Sequence, residues 1–338
     1  MSISLAVKYR PQSFDQVVEQ SATKVILEQQ LASGNIKNAY LFCGGAGTGK
    51  TTCARIFANE INKGAGSPVE LDAASNNSVD DVRDIIQQSK TAALDSEYKV
   101  FIMDEVHALS NQAWQAMLKV LEEPPVKSIF IMCTTEKNKI PKTILSRVQQ
   151  FDFQRISQQA IFDRLCLIVR KEVGGTNITI EEALYYISKQ AQGGMRDALT
   201  MLDKCLAYSS ELTLDNVIKA LGIADYSMLC RLLVSIAYLN TADSLDIINQ
   251  VYMSGYELKQ FIKSFTNFVL DYSKWYLGAT EYISCPLTDE VQNAFEEYRK
   301  SREDEYPTLL TDLIKLQADI KWETNPKSRI EAWCITGE

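Results

Sequence analysis

One histidine, His107, is all the imidazole in this chain of 338 residues, so a zinc site is not expected. Cysteine is present but unorganised: Cys43, Cys53, Cys133, Cys166, Cys205, Cys230, Cys285 and Cys334 form no C-x-x-C pair. Most of them sit inside apolar runs, which predicts buried free thiols in a reducing cytoplasm rather than a disulfide frame. Long apolar runs are missing too. No stretch reaches the length of a membrane span, and Met1–Arg10 lacks the apolar core of a signal peptide, so a cytoplasmic protein without a membrane partner is expected. There is no internal repeat and no low-complexity tail. An excess of basic charge is also lacking. The net charge is −8; residues 1–156 are balanced, and residues 157–338 carry the whole acidic surplus. Any nucleic acid must then be held by a local basic face and not by the overall field.

What remains is the composition of a soluble globular protein, 46% hydrophobic and 23% charged, long enough for two or three domains. The stretch Leu41–Thr52 organises it. An apolar run from Ala39 to Cys43 reads as a buried strand and feeds a turn matching G-x-x-x-x-G-K-[ST], made of Gly44, Gly45, Ala46, Gly47, Thr48, Gly49, Lys50 and Thr51. Thr52 follows, and residues 53–58 continue at helical spacing. Glycines let the backbone curl so that several N–H groups point at phosphate oxygens. The helix N-terminus adds its positive dipole end. Lys50 supplies a mobile charge for the β- and γ-phosphates, and the Thr51 hydroxyl can ligate Mg²⁺. This loop predicts nucleoside triphosphate binding.

The segments around it alternate. Strands are predicted at residues 69–73, 98–105 and 128–135, with a fifth ending near Phe153, and helices lie between them. Most of the strands are continuous apolar runs, so a parallel sheet covered on both faces is expected. Beyond Gln154 the strand signals stop. Residues 157–222 read as three or four helices broken at Gly174-Gly175, Gln192–Gly194 and Ser209-Ser210, and residues 223–338 are again mainly helical. The fold class is therefore α/β plus all-α.

Asp104 and Glu105 close a strand of the sheet that carries the loop. We assign Asp104 to the metal and Glu105 to the general base that polarises a water. His107 fits a structural role in the turn, since Glu105 already fills the base position. Thr135 ends the fourth strand, where a hydroxyl can meet the γ-phosphate. Arg147, at a helix-to-strand corner, and Arg196, at a helix start, are by residue type and place alone more often solvated side chains or ion pairs.

Several motifs occur in order: Tyr9-Arg10-Pro11, the loop, Leu71–Asn77, Asp104–His107, Leu121–Pro125, Thr134-Thr135-Glu136, Ser146-Arg147 and Met195–Leu199. Together they resemble the gamma/tau subunit family of bacterial DNA polymerase III, the AAA+ ATPase motors of sliding-clamp loaders. The resemblance is dense over residues 5–205. It implies a P-loop ATPase domain at 1–156 with a five-stranded sheet, a helical lid at 157–222 and a helical collar for oligomerisation at 223–338, where Gly255–Phe265 still resembles a collar segment. It also implies ATP and Mg²⁺ as cofactors. Tyr9, Arg10 and Pro11 would line base and ribose, Thr135 would be the first sensor, and Arg196 the second, reaching from the lid. Arg147 would be an arginine finger acting on ATP bound to a neighbouring subunit. Implied partners are other clamp-loader subunits in a pentameric hetero-oligomer, a sliding clamp and primer-template DNA. Ser75–Asp81 would face the DNA, and Trp114 and Met117 are weighed as clamp anchors against core packing.

There are departures. The family inserts a four-cysteine zinc module after the loop helix, whereas here Asn59–Pro68 spans the gap without cysteine, so no zinc is expected. Glu19 stands where the family has glycine, and Val148 where it has cysteine. The sequence ends at Glu338, so the contacts that the long tail of the tau form makes are not expected. Two other readings stay open: a scaffold that binds nucleotide without turnover, and a branch-migration motor. Intact Lys50, Asp104, Glu105 and Arg147 speak against the first. The second would bring a winged, strand-rich C-terminal domain.

Overall fold

The computed structural model describes residues 3–93, 95–175, 177–221, 226–302 and 305–336. It divides into two compact units, Met1–Leu206 and Ala207–Glu338. The expected boundary at 156/157 falls inside the first unit, and the one at 222/223 lies outside the described residues.

The first unit runs α1 (Leu5–Lys8), α2 (Ser21–Ser33), β1 (Ala39–Gly44), α3 (Lys50–Ile61), β2 (Val69–Asp72), α4 (Val79–Ser89), β3 (Lys99–Asp104), α5 (Asn111–Glu122), β4 (Ser128–Thr134), α6 (Lys142–Leu145), β5 (Gln149–Phe153), α7 (Gln158–Val173), α8 (Ile178–Gln190) and α9 (Met195–Tyr208). The strands form one parallel sheet of order β2-β3-β4-β1-β5. Because side chains alternate along a strand, an unbroken apolar run fills both faces. Leu41, Phe101, Met103, Phe130 and Met132 join one core with residues of α4 and α5. Tyr40, Phe42, Ile102, Ile131 and Phe151 join the other with Leu27 of α2 and Phe57 of α3. Trp114 and Met117 of α5 are 4% and 0% exposed in the first of these cores, so their apolar surface packs against the sheet and not a partner.

Parallel strands put their carboxyl ends on one edge. The chain leaves β1 for the far edge of the sheet and later returns on its other side at β5, so the loop after β1 sits at a topological switch point, where open α/β sheets bind ligands. The gap that would hold a zinc module is closed by a short turn with Lys63, Gly64 and Gly66 at positive φ. Asn62 fastens it, accepting from the Tyr98 N–H and donating to the Tyr98 carbonyl, both at 2.9 Å.

Helix α7 ends at Gly174, whose φ of 90° a glycine adopts without a Cβ clash, and packs on α8. The second unit holds α10 (Leu214–Leu221), α11 (Tyr226–Ala237), α12 (Thr241–Met253), α13 (Leu258–Tyr276), α14 (Asp289–Arg302), α15 (Tyr306–Ile320) and α16 (Pro326–Thr336). Its core is built around α13, through Phe261, Phe265, Phe268 and Tyr272. Asp271 is buried but fully partnered: it pairs with Lys274 at 2.8 Å and accepts from the backbone N–H of Ser284 and Cys285. A buried carboxylate demands such partners, and these pin the connection at Ser284–Pro286. No strand occurs among the described residues of this unit, and no single described helix is long and apolar enough to cross a membrane.

Candidate active site

The loop between β1 and α3 is held by close approaches that only glycine permits. A Cβ on Gly44 would run into the Phe153 carbonyl. Gly47 has φ 69°, and a Cβ there would lie 3.0 Å from the Gly194 Cα and 3.3 Å from the Arg196 amide nitrogen. Its carbonyl accepts the N–H of Met195, the first residue of α9, at 3.0 Å. Loop and helix α9 therefore meet backbone to backbone at this point. Lys50 is 6% exposed, and its ammonium donates to the Gly44 and Gly45 carbonyls at 2.9 and 2.8 Å. Thr48 Oγ1 donates to Gly45 O at 2.9 Å.

Thr51, in the first turn of α3, donates its hydroxyl to Asp104 Oδ2 at 2.6 Å, which unites the loop with the end of β3. The other Asp104 oxygen accepts the Glu105 N–H at 2.9 Å. Glu105 has φ 48° and ψ 42°, a left-handed conformation that costs about 1–2 kcal/mol for such a side chain. It turns the carboxylate to where Thr135 Oγ1 donates to Glu105 Oε2 at 3.1 Å. Thr135 lies one residue past the end of β4. His107 Nδ1 stands 3.2 Å from both Glu105 Oε2 and Thr134 Oγ1, and its Nε2 is 3.3 Å from Glu136 Oε1. The hydrogen bond from Lys139 holds the Glu136 carboxyl below its ordinary pKa. His107 is thus a brace in the turn, with a direct hold on Glu105.

A cleft of about 260 Å³ opens beside the loop. Gly47, Thr48, Gly49, Lys50, Thr51 and Thr52 form one wall, Tyr9, Arg10 and Pro11 a second, and Arg164, Met195 and Arg196 of the lid helices a third. Tyr9 OH donates to Glu172 of α7, and Lys8 pairs with the same carboxylate at 2.7 Å. The hydrogen bond from Lys8, then that from Tyr9, pushes the Glu172 carboxyl below its ordinary value. Arg147 is not part of the cleft. It is exposed, with Nη2 on Glu122 Oε1 at 2.7 Å and Nη1 on the Thr143 carbonyl at 2.8 Å.

Cys53 lies in the first turn of α3, where a helix N-terminus would favour a thiolate. Burial prevails and pushes its pKa to about 12; Cys43, at the end of β1, rises to about 11 for the same reason.

Sequence reasoning missed two residues that follow the cleft-lining Val17 and Val18. Glu19 and Gln20 both have left-handed backbone, φ 55° and 53°. Gln20 is buried, donates to the Gln154 carbonyl at 2.7 Å and accepts the Gln154 N–H at 3.1 Å. The Glu19 carboxylate accepts from the N–H and the hydroxyl of Ser157. The one sequence signal was the departure from glycine at position 19.

As for a metal, no described group of three or more His, Cys, Asp or Glu side chains is arranged to hold one. The Thr51 hydroxyl and the Asp104 carboxylate nonetheless fit Mg²⁺, which takes hard oxygens and is commonly held by one or two protein groups with phosphate and water completing its shell.

A parallel sheet of this order, a phosphate loop after its inner strand and a helical lid over the loop define a P-loop protein of the AAA+ class. Solved structures of the Thermotoga maritima RuvB Holliday junction branch migration motor share the fold, with a TM-score of 0.52 at 18% identity over 74% of this chain and 86% of that one. The sequence family described as "DNA polymerase III, delta subunit" matches residues 67–157, and that described as "DNA polymerase III clamp loader subunit, ATPase lid domain" matches residues 163–211. The gamma subunit of DNA polymerase III from Buchnera aphidicola is 33% identical over 287 residues, 78% of either chain. The tau subunit from Bacillus subtilis is 35% identical over 343 residues, 94% of this chain. This chain belongs to the gamma/tau family of DNA polymerase III subunits. It spans 60% of the Bacillus subtilis relative and 46% of the Mycoplasma genitalium one.

Proposed function

We propose that the chain is an ATP-hydrolysing motor subunit of a sliding-clamp loader, which uses ATP to open a ring clamp and place it on primed DNA during replication. Hydrolysis is supported by the 2.6 Å junction of Thr51 with Asp104 and the Glu105–Thr135 contact, and the clamp-loader setting by membership of the gamma/tau family. ATP phosphates lie against the loop N–H groups and the α3 N-terminus, and Lys50 exchanges its two carbonyl partners for phosphate oxygens. Tyr9, Arg10 and Pro11 line base and ribose. Thr51 and Asp104 would hold Mg²⁺, which neutralises phosphate charge when bound. Glu105 takes a proton from the attacking water while Thr135 keeps its carboxylate aimed. Arg196 reaches the phosphates from the lid. Arg147 serves a neighbour's ATP, a role for which its position outside its own cleft is suited. Residues 1–156 form the ATPase domain, 157–222 the lid and 223–338 the oligomerising collar. The setting is cytoplasmic, with other loader subunits, the clamp and primer-template DNA as partners.

RuvB-like neighbours make a branch-migration motor the natural rival. That reading calls for a strand-rich winged domain at the C-terminus, and every described element of residues 207–338 is helical. Steady-state ATP hydrolysis with the partner subunits tests the choice. Strong stimulation that needs both clamp and primed DNA is expected; stimulation by DNA alone would refute the clamp-loader reading, and ATP binding without turnover would leave a scaffold.

A further inference from the structure

We propose that Glu19 is a positioning residue of the nucleotide site, which fastens the lid to the sheet domain and slows nucleotide release; this rests on the nucleotide reading above. Two successive non-glycine residues in the left-handed region, Glu19 and Gln20, form a strained pair that persists only where surrounding contacts determine it. Apart from a 3.5 Å contact of the Gln20 amide with the Thr48 carbonyl, their side-chain contacts fall on one segment, residues 154–157, the covalent passage from β5 into α7. Gln20 pairs with both backbone groups of Gln154. Glu19 Oε2 accepts the Ser157 N–H at 3.0 Å and Glu19 Oε1 the Ser157 hydroxyl at 2.6 Å.

Ser157 is the N-cap of α7, its hydroxyl accepting from the Ala160 N–H at 3.2 Å. In a capping box the residue three places on returns a side chain to the N-cap N–H. Here that residue is alanine, and Glu19 supplies the missing half from another element. Its negative charge also complements the helix dipole at that end. Glu19 thereby fixes the direction in which α7 leaves the sheet domain. Arg164 of α7, with Met195 and Arg196 of α9, forms the lid side of the cleft. A bound nucleotide departs past these residues, so its release follows lid opening.

Glycine at position 19 both relieves the left-handed backbone and deletes the carboxylate, and the two effects are told apart by their readouts, stability for the first and release rate for the second. In Glu19→Gly the melting temperature is expected to stay level or rise. Release of MANT-ADP, followed by stopped-flow fluorescence, should accelerate about three- to fivefold, the scale of one lost cap interaction. Glu19→Gln, which keeps one acceptor, should fall between. Ser157→Ala, which deletes the hydroxyl contact with Glu19 together with the α7 cap, should also accelerate release, and the double variant should accelerate it by less than the product of the two single effects, because the 2.6 Å bond is lost in both. Wild-type release in Glu19→Gly, whatever its melting temperature, would overturn the proposal. A wild-type chain that binds no MANT-ADP would overturn the nucleotide reading, and this proposal with it.

Discussion

Replacing Gly47 by alanine puts the contact between phosphate loop and lid under direct test. The new Cβ would lie 3.0 Å from the Gly194 Cα and 3.3 Å from the Arg196 amide nitrogen. Both atoms are backbone, so no side chain can swing aside. Holding alanine at φ 69° adds about 1 kcal/mol. If the lid moves to make room, the 3.0 Å bond from the Met195 N–H to the Gly47 carbonyl is lost, at about 1 kcal/mol more. A destabilisation of about 2 kcal/mol is therefore expected, read as the midpoint shift in urea at unchanged slope. Met195 and Arg196 also line the cleft, so moving them should weaken nucleotide affinity about tenfold, the equivalent of 1.4 kcal/mol. Titration calorimetry with ADP measures this. Loss of stability with intact affinity would mean that the lid does not contribute to binding, and wild-type values in both would refute the whole argument.

Lys50→Ala should weaken ATP binding about a hundredfold, the loss of charge-assisted bonds to phosphate, and tight binding by that variant would undo the loop assignment. Glu105→Gln should keep ATP binding while lowering turnover about 10²- to 10⁴-fold; unchanged single-turnover rates would remove Glu105 from the base position. Arg147→Ala should spare nucleotide binding by the isolated chain and reduce stimulated hydrolysis in the assembled complex about a thousandfold, which the complex reconstituted with the variant measures. Cys43 and Cys53 should resist iodoacetamide in the native protein at pH 8.5. Burial raises their pKa from the ordinary 9.0 to about 11 and about 12, so their contribution to stability is complete below pH 9 and is lost as the pH rises through those values. Rapid native-state alkylation at pH 8.5 would refute the burial argument.

Much of this could be read from residue order, and the reason is local. Strands β1, β3 and β4 are apolar runs, since both of their faces are covered, and the phosphate loop announces itself by spacing because Gly44, Gly47 and Gly49 each answer a backbone constraint. Asp104 was legible through its place at the end of β3. Trp114 and Met117 show the limit: apolar residues on a helix read alike whether they face a partner or the sheet, and here they face the sheet.

What stayed hidden is whatever depends on side chains meeting across the chain. Apart from the departure from glycine at position 19, Val17-Val18-Glu19-Gln20 does not foretell that two of these residues take left-handed backbone, or that they grip Gln154 and Ser157. The consequence reaches beyond one contact. Glycine would adopt this conformation freely; Glu19 adopts it under strain and in return completes the α7 cap. The side chain thus ties down the passage from β5 into α7 at the cost of backbone ease. Arg147 is the opposite case. Its contacts with Glu122 and Thr143 are those of an ordinary surface arginine, and its proposed task needs a second subunit to supply the phosphate it would meet.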